Sequence, residues 1–192
     1  MEKRIKRLRN WISGLKTKLP IDREKASTLV VRKLEDSEFF LSAKSVLLFY
    51  GLDDEVDTRK IIRNACSKGK IVYLPRCNKK EELFTIGRVN SLEDLEKSSY
   101  GIMEPKQDVC KDYSGENIDL IILPGVVFDI KGNRIGRGKG YYDKFLKKIG
   151  KKTKRIGVAF DFQVLEDVSG REHDEPVDVV VSEKRIIHVK NK

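Results

Sequence analysis

The chain has 192 residues, which suits one domain over residues 1–192 with a buried core and is too short for two independent domains. Hydrophobic residues make up 39% and charged residues 36% of the chain, a balance that excludes an intrinsically disordered protein. No segment approaches the roughly 20 apolar residues of a membrane helix, and the N-terminus has no signal-peptide core, so we expect a cytoplasmic protein without a membrane partner. Cys66, Cys77 and Cys110 lack CxxC spacing, which predicts reduced thiols instead of disulfides or a zinc site.

The formal net charge of +10 is distributed unevenly. Residues 1–18 hold seven Lys or Arg against one acid, and residues 131–155 hold eleven against one, whereas the remainder is net negative. Positive charge that is concentrated in two segments favours a localised binding site for a polyanion over a uniformly basic protein surface. Trp11 is the only aromatic residue among the N-terminal bases, so stacking on nucleic-acid bases is not indicated and we expect no nucleic-acid partner.

The first half of the chain alternates helical and strand patterns. Ile5, Leu8, Ile12, Leu15 and Leu19 have helical spacing and predict an amphipathic N-terminal helix over 2–18, which Pro20 ends. A second helix is predicted from the capping residue Asp22 to about Ala43, followed by a short strand over 46–50. Asp57 and Thr58 can cap a third helix that ends at Gly69, and residues 71–74 form the next apolar run.

The second half continues the alternation after an irregular stretch over 83–104, where a short strand at 83–86 and a helical turn near 92–95 are predicted. Apolar runs at 119–123, 126–128, 155–160 and 177–181 predict strands, with an edge strand at 186–189 and a helix over 141–149. Strands that alternate with helices predict an α/β fold in which a mostly parallel sheet is covered on both faces.

The segment from Gly132 to Gly140 follows a strand and precedes a helix, which is where open α/β sheets bind ligands. Its alternate glycines allow backbone N–H groups to approach an anion, the helix N-terminus adds a favourable dipole, and Arg134, Arg137 and Lys139 add charge. Neither the Rossmann nor the Walker A spacing fits. The alternative is a flexible basic turn, but the density of cations favours a phosphate site and hence ATP.

Three carboxylate positions accompany this loop. Asp143, in the first turn of the next helix, is either a capping charge or a magnesium ligand beside phosphates. Asp174, in the turn after His173, could supply a second carboxylate. Glu55, after the first strand, could accept paired hydrogen bonds from amide or amino donors. For each of them a solvated turn is the alternative.

The runs Leu-Pro-Gly-Val-Val-Phe-Asp at 123–129 and Gly-Asn-Arg-Ile-Gly-Arg-Gly-Lys-Gly-Tyr-Tyr-Asp at 132–143 resemble the signature of the 5-formyltetrahydrofolate cyclo-ligase family. The chain is also similar to that family in length, in its basic N-terminal helix, in the Asp-Asp-Glu turn and in the His-Asp turn. The resemblance implies a doubly wound, three-layer α/β/α single domain. It also implies ATP- and Mg2+-dependent conversion of 5-formyltetrahydrofolate to 5,10-methenyltetrahydrofolate by phosphorylation of the formyl oxygen and ring closure.

The resemblance also implies roles for individual residues. Arg137 and Lys139 match catalytic charges, and Asp143 and Asp174 match the magnesium carboxylates. The positions that match ATP contacts are Lys3, Arg7, Arg134, Ile135, Gly136, Arg137, Gly138, Lys139, Gly140, Tyr141 and Tyr142. The positions that match folate contacts are Tyr50, Glu55, Arg137, Gly138, Lys139, Gly140 and Tyr141.

Several alternatives stay open on sequence alone. The family has Lys, three residues, then Arg at the nucleotide; Lys3 and Arg7 satisfy that spacing, whereas a shifted register places Ile5 and Arg9 there. A sugar-phosphate isomerase-like enzyme on a similar fold, which needs a general base and no ATP, is a rival function. A basic nucleic-acid-binding module is another. We expect a monomer whose partners are ATP and the folate.

Overall fold

The structure is a computed structural model that describes residues 2–78, 83–98, 101–111, 117–150, 152–168 and 175–190. Its α-helices are α1 (Glu2–Lys18), α2 (Arg23–Glu35), α3 (Glu38–Ser42), α4 (Arg59–Ser67) and α5 (Tyr141–Leu146). Its strands are β1 (Ser45–Leu47), β2 (Ile71–Asn78), β3 (Leu83–Val89), β4 (Leu95–Lys97), β5 (Met103–Pro105), β6 (Cys110–Lys111), β7 (Leu120–Pro124), β8 (Val127–Asp129), β9 (Arg134–Ile135), β10 (Lys154–Val158), β11 (Val164–Leu165), β12 (Val179–Val181) and β13 (Ile186–His188). Single 3-10 turns occupy Leu92–Asp94, Gln107–Val109 and Asp161–Gln163.

Eight strands form the main sheet in the order β13-β12-β10-β7-β1-β2-β3-β6. The five central strands from β12 to β2 are parallel, whereas β13 and β3 pair antiparallel to their neighbours. The chain runs from β1 outward to β2 on one side and later returns to place β7 on the other side of β1. This confirms the predicted α/β fold with a mostly parallel sheet.

The two faces of the sheet are covered by different helices because successive strand residues point to opposite faces. Leu120 and Ile122 of β7 belong to the apolar cluster that contains α2 and α4. Ile121 and Leu123 belong to the cluster on the other face, with Phe145 and Leu146 of α5. These side chains are at most 3% exposed, which explains the continuous apolar run of this strand.

Helix α1 packs away from the main sheet on a small sheet of the order β11-β8-β9. Ile5 and Ile12, one face of the predicted amphipathic helix, form a third apolar cluster with Val127, Ile135 and Val168. The helix therefore lies beside the glycine loop that follows β9.

Some boundaries differ from the prediction. The helix expected from Asp22 to about Ala43 is two helices, because Ser37 starts a new one by accepting a hydrogen bond from Phe40 N at 3.3 Å. The helix expected over 141–149 ends at Leu146. The strand expected at 83–86 runs to Val89, and the antiparallel pair β4–β5, which has no periodic signal, was not predicted.

Across the residues that the structure describes, there is no helix whose length and apolar content would let it cross a membrane.

Candidate active site

A cavity of about 400 Å³ opens where the carboxyl ends of β1 and β7 lie side by side. The chain leaves these two neighbouring strands toward opposite sides of the sheet, and open α/β sheets bind ligands at such a switch point. The segment after β1 supplies Tyr50 and Glu55 to the cavity, and the segment after β7 supplies the whole run from Arg134 to Asp143. The fold thus brings together two segments that are about 80 residues apart in sequence.

The glycine loop reaches α1 through Arg9. The Arg9 Nε donates a hydrogen bond to the Gly136 carbonyl at 2.8 Å. Gly138 has a φ of 112°, and a Cβ there would lie 3.3 Å from Arg9 Nη1. Glycine at this position therefore serves both an unusual backbone conformation and the close approach of a guanidinium.

Arg134 is a buried cation at the start of the loop. Its side chain is 3% exposed, and its Nη2 donates to the Asp143 carboxylate at 2.6 Å. Its guanidinium lies 5.6 Å from the centroid of the Tyr142 ring, within cation–π range. The Arg134 Nε is buried and has no hydrogen-bond partner among the described residues. Because a buried charge needs partners, Asp143 is the main compensation for Arg134.

Arg137 is held by the acidic turn after β1. Its Nε and Nη2 lie 3.1 and 3.0 Å from Glu55 Oε1, and Nη2 also donates to Asp54. Lys16 of α1, whose side chain is 7% exposed, donates to the other Asp54 oxygen at 2.7 Å. Burial acts to raise the pKa of Asp54, but the contacts from Lys16 and Arg137 outweigh it, so this pKa lies below its ordinary value. The turn therefore stays anionic and links α1 to the loop.

Aromatic side chains form much of the remaining wall. Phe49 and Tyr50 follow β1, Phe84 comes from β3, and Tyr142 lies at the start of α5. The rings of Phe84 and Tyr142 meet edge to face at 5.2 Å. Burial, and then the Glu55 carboxylate, raise the pKa of Tyr142, so its hydroxyl stays protonated and available as a donor. This part of the cavity suits a planar apolar ring with polar edges.

A third carboxylate and a thiol line the cavity from the side of β2 and β5. Glu104 is 4% exposed, and its Oε1 accepts a hydrogen bond from Cys77 N at 3.3 Å. Burial and the nearby Glu104 raise the pKa of Cys77 to about 12. Sequence reasoning missed both residues, because Cys77 was expected to be only structural and Glu104 lies in the irregular stretch.

The N-terminal bases lie on different sides of α1. Ile5 and Arg9 line the cavity, whereas Lys3 and Arg7 are exposed and do not line it. The shifted register therefore places an arginine at the glycine loop, and the nucleotide roles of Lys3 and Arg7 stay predictions without a contact to support them.

The predicted magnesium carboxylates are described only in part. Asp143 lines the cavity and is about a quarter exposed, while Asp174 and His173 lie outside the described residues. No group of three or more His, Cys, Asp or Glu residues is arranged for a metal within the described ranges. Magnesium commonly uses one or two protein carboxylates together with substrate phosphates and water, so Asp143 beside the cationic glycine loop fits that ion.

The chain is thus an α/β protein in which a cationic glycine loop and several aromatic side chains line one cavity. The sequence model of the 5-formyltetrahydrofolate cyclo-ligase family matches residues 2–183, and the chain belongs to this family of ligases.

Relatives of known name agree with this assignment. The mouse 5-formyltetrahydrofolate cyclo-ligase is 35% identical over 171 residues, covering 84% of each chain. The enzyme of that name from Escherichia coli K12 is 33% identical over 150 residues, covering 75% of this chain and 80% of that one.

Solved structures extend the likeness to the fold. An NMR structure of the Aquifex aeolicus 5,10-methenyltetrahydrofolate synthetase has a TM-score of 0.82 and 33% identity, covering 98% of this chain and 94% of that one. A 5,10-methenyltetrahydrofolate synthetase from Mycoplasma pneumoniae, at 18% identity and a TM-score of 0.72, covers 93% of this chain and 98% of that one and shares the fold.

Proposed function

We propose that the chain converts 5-formyltetrahydrofolate to 5,10-methenyltetrahydrofolate with ATP and Mg2+, releasing ADP and phosphate. The observation that supports this most is that one cavity of about 400 Å³ joins the cationic glycine loop to the aromatic wall. The loop suits phosphates and the wall suits a pterin ring. This combination favours a two-substrate ligase over a sugar-phosphate isomerase or a nucleic-acid-binding module.

The chemistry requires positioning and charge stabilisation, and no protein nucleophile. The formyl oxygen attacks the γ-phosphorus of ATP, and the bond from that phosphorus to the ADP oxygen breaks. The anilino nitrogen of the folate then attacks the formyl carbon, the carbon–oxygen bond breaks, and phosphate leaves as the nitrogen loses its proton. Arg137 and Lys139, which both line the cavity, would stabilise the negative charge on the transferred group.

Binding would be divided between the two segments that meet at the switch point. Residues Arg134 to Tyr142 would hold the ATP phosphates, with Arg9 as the N-terminal base that reaches the loop. Tyr50, Glu55 and the loop from Arg137 to Tyr141 would border the folate. Each of these residues lines the cavity, which supports the division but leaves each role a proposal.

Magnesium would be held by Asp143 and, as the resemblance implies, by Asp174. When bound, the ion would neutralise the negative charge of the nucleotide phosphates. The contact between Asp143 and Arg134 keeps this carboxylate oriented at the cavity wall.

The test is a coupled measurement of product and ADP. Purified protein with 5-formyltetrahydrofolate, ATP and Mg2+ should form methenyltetrahydrofolate, seen by its near-ultraviolet absorbance, with one ADP for each product. Product formation that is unchanged when ATP is omitted, or no product at all, would overturn the proposal. The same preparation run on a sizing column tests the predicted monomer.

A further inference from the structure

Glu104 is a buried carboxylate in the cavity that the proposed reaction does not use. Glu104 is 4% exposed, and two donors of Cys77 contact its carboxylate: the backbone N–H, 3.3 Å from Oε1, and the thiol. An ionised carboxylate has about four acceptor positions. The donors present leave acceptor positions of this carboxylate unused. Because burying a charge with few partners is costly, a ligand with N–H donors would bind there favourably.

The position of Glu104 is fixed by contacts of the two residues that follow it in the chain. Arg76 Nη1 donates to the carbonyl of Pro105 at 2.6 Å, and Lys106 N donates to Asp94 O at 2.9 Å. Gly87 of β3 lies under Pro105, and a Cβ on Gly87 would overlap the proline ring. The absence of a side chain there lets β5 pack closely on β2 and β3, so the carboxylate is held in place before any ligand arrives.

Two other carboxylates line the cavity and both are already engaged, Asp143 by Arg134 and Glu55 by Arg137. Glu55 accepts two hydrogen bonds from Arg137 at its Oε1, and one from Leu52 N to Oε2 at 3.2 Å. A ligand that used both Glu55 oxygens would have to compete with an arginine of the glycine loop. Glu104 has no such competitor among the described residues.

We infer that Glu104 accepts the paired N–H donors at the aminopyrimidinone edge of the pterin ring and thereby determines which way round the ring enters the cavity. This inference rests on the proposed function, which supplies the folate. The exocyclic amino group and the neighbouring ring N–H of a pterin are adjacent donors that match the two oxygens of one carboxylate. The formyl group lies at the opposite end of the bicycle, free to meet the nucleotide.

Cys77 supports this role. With its pKa raised to about 12 by burial and by Glu104, the thiol keeps its proton at neutral pH. The protonated thiol therefore acts as a donor to Glu104 and adds no negative charge of its own beside it.

The first experiment measures binding and kinetics of Glu104→Gln. We expect KM and the dissociation constant for 5-formyltetrahydrofolate to rise about 10- to 100-fold, as expected for the loss of hydrogen bonds to a charged group. KM for ATP should stay within about twofold of the wild type, since the contacts of Glu104 are with Cys77 and not with the glycine loop. The melting temperature should not fall, because the substitution removes a buried charge with few partners.

Glu96→Gln is the matched control. Glu96 pairs directly with Glu104 across β4 and β5, is about half exposed, and binds Arg76 at 2.6 Å. If Glu104→Gln acted only by loosening this strand pair, Glu96→Gln would weaken folate binding equally, and that result would overturn the inference.

The second experiment removes the donor from the ligand. A 5-formyltetrahydrofolate analogue without the 2-amino group should bind the wild type about tenfold more weakly, whereas Glu104→Gln should bind both compounds within about twofold. If removal of the 2-amino group weakened binding equally in the wild type and in Glu104→Gln, the amino edge of the ring would bind a residue other than Glu104. The same comparison in Glu55→Gln should retain the full preference for the amino compound.

If Glu104→Gln does not fold, Glu104→Asp provides the test, because it keeps the carboxylate but withdraws it from the ligand. Glu104→Asp should show a reduced preference for the amino compound, and an unreduced preference refutes the inference. A wild-type chain that binds folate but forms no product refutes the proposed reaction alone.

Discussion

Arg137 and Glu55 lie 82 residues apart in sequence and form a two-donor ion pair across the cavity, with Nε and Nη2 3.1 and 3.0 Å from the same carboxylate oxygen. The cation proposed for the transferred phosphate is thus held by the carboxylate proposed to border the folate. Asp54 and Lys16 extend the pair into a network that ends on α1. The acidic turn therefore orients the loop cation.

Replacing Arg137 should separate catalysis from stability. We expect Arg137→Ala to lower kcat about 100-fold or more, the usual cost of losing a group that stabilises transition-state charge. Its side chain is half exposed, so the free energy of unfolding should change by about 1 kcal/mol or less. Steady-state kinetics and urea unfolding check both points.

Arg32→Ala is a suitable control for this change, since Arg32 is an exposed arginine paired with Asp36 at 3.7 Å on α2, away from the cavity. Wild-type turnover in Arg137→Ala would remove this residue from the catalytic group.

The two registers of α1 can be distinguished by single substitutions. Arg9 donates to the Gly136 carbonyl and lines the cavity, whereas Arg7 is exposed and does not line it. We expect Arg9→Ala to raise KM for ATP about tenfold or more, the scale of a lost charge-assisted contact, and Arg7→Ala to change it less than twofold. Nucleotide titrations of both variants give the answer, and the opposite ranking would restore the register of Lys3 and Arg7.

The sequence was sufficient to predict the position of the glycine loop, but not which residues from other elements contact it. The apolar run of β7 and the following glycines predict a strand and an anion site from local pattern alone. The contact from Arg9 depends on how α1 packs on β8 and β9, which local spacing does not specify. Glu104 was missed for the same reason, because its place at the cavity depends on how β5 packs on β2 and β3. The contacts of Arg9 and Glu104 depend on long-range packing and were not predicted, whereas β7 and the glycine loop were; the helix break at Ser37 is a local signal that was also missed.

Asp143 should have a structural role in addition to its proposed magnesium role. Its carboxylate lies 2.6 Å from a guanidinium that is 3% exposed. Asp143→Ala should therefore lower the free energy of unfolding by about 2 kcal/mol even without nucleotide and Mg2+, below the 3–5 kcal/mol of a fully buried pair because Asp143 is partly exposed. Chemical denaturation in the presence of a chelator measures this.

The double variant Arg134→Met with Asp143→Leu tests the physical cause. Replacing both partners with apolar side chains leaves no buried unpaired charge, so the double variant should be more stable than Asp143→Ala. Both should be inactive. Equal stability of Asp143→Ala and the wild type would mean that solvent, and not Asp143, compensates Arg134.

Cys77 should behave as an unreactive thiol in the folded protein. Burial first, and the Glu104 carboxylate second, raise its pKa from an ordinary value of 9.0 to about 12. Because the thiolate is the reactive form, iodoacetamide at pH 8 should modify Cys77 at least 100-fold more slowly in the folded chain than in urea, as followed by peptide mass spectrometry.

The raised pKa of Cys77 also makes the stability of the protein depend on pH. Because the pKa of this thiol is higher in the folded than in the unfolded chain, its contribution to stability is fully present below pH 9 and is lost as the pH rises from about 9 to about 12. Cys77→Ser, which does not titrate in this range, should therefore lose less stability than the wild type between those values. Rapid modification of Cys77 in the folded chain, or identical alkaline profiles of the two proteins, would show that the thiol is not shielded as the packing of β2 and β5 requires.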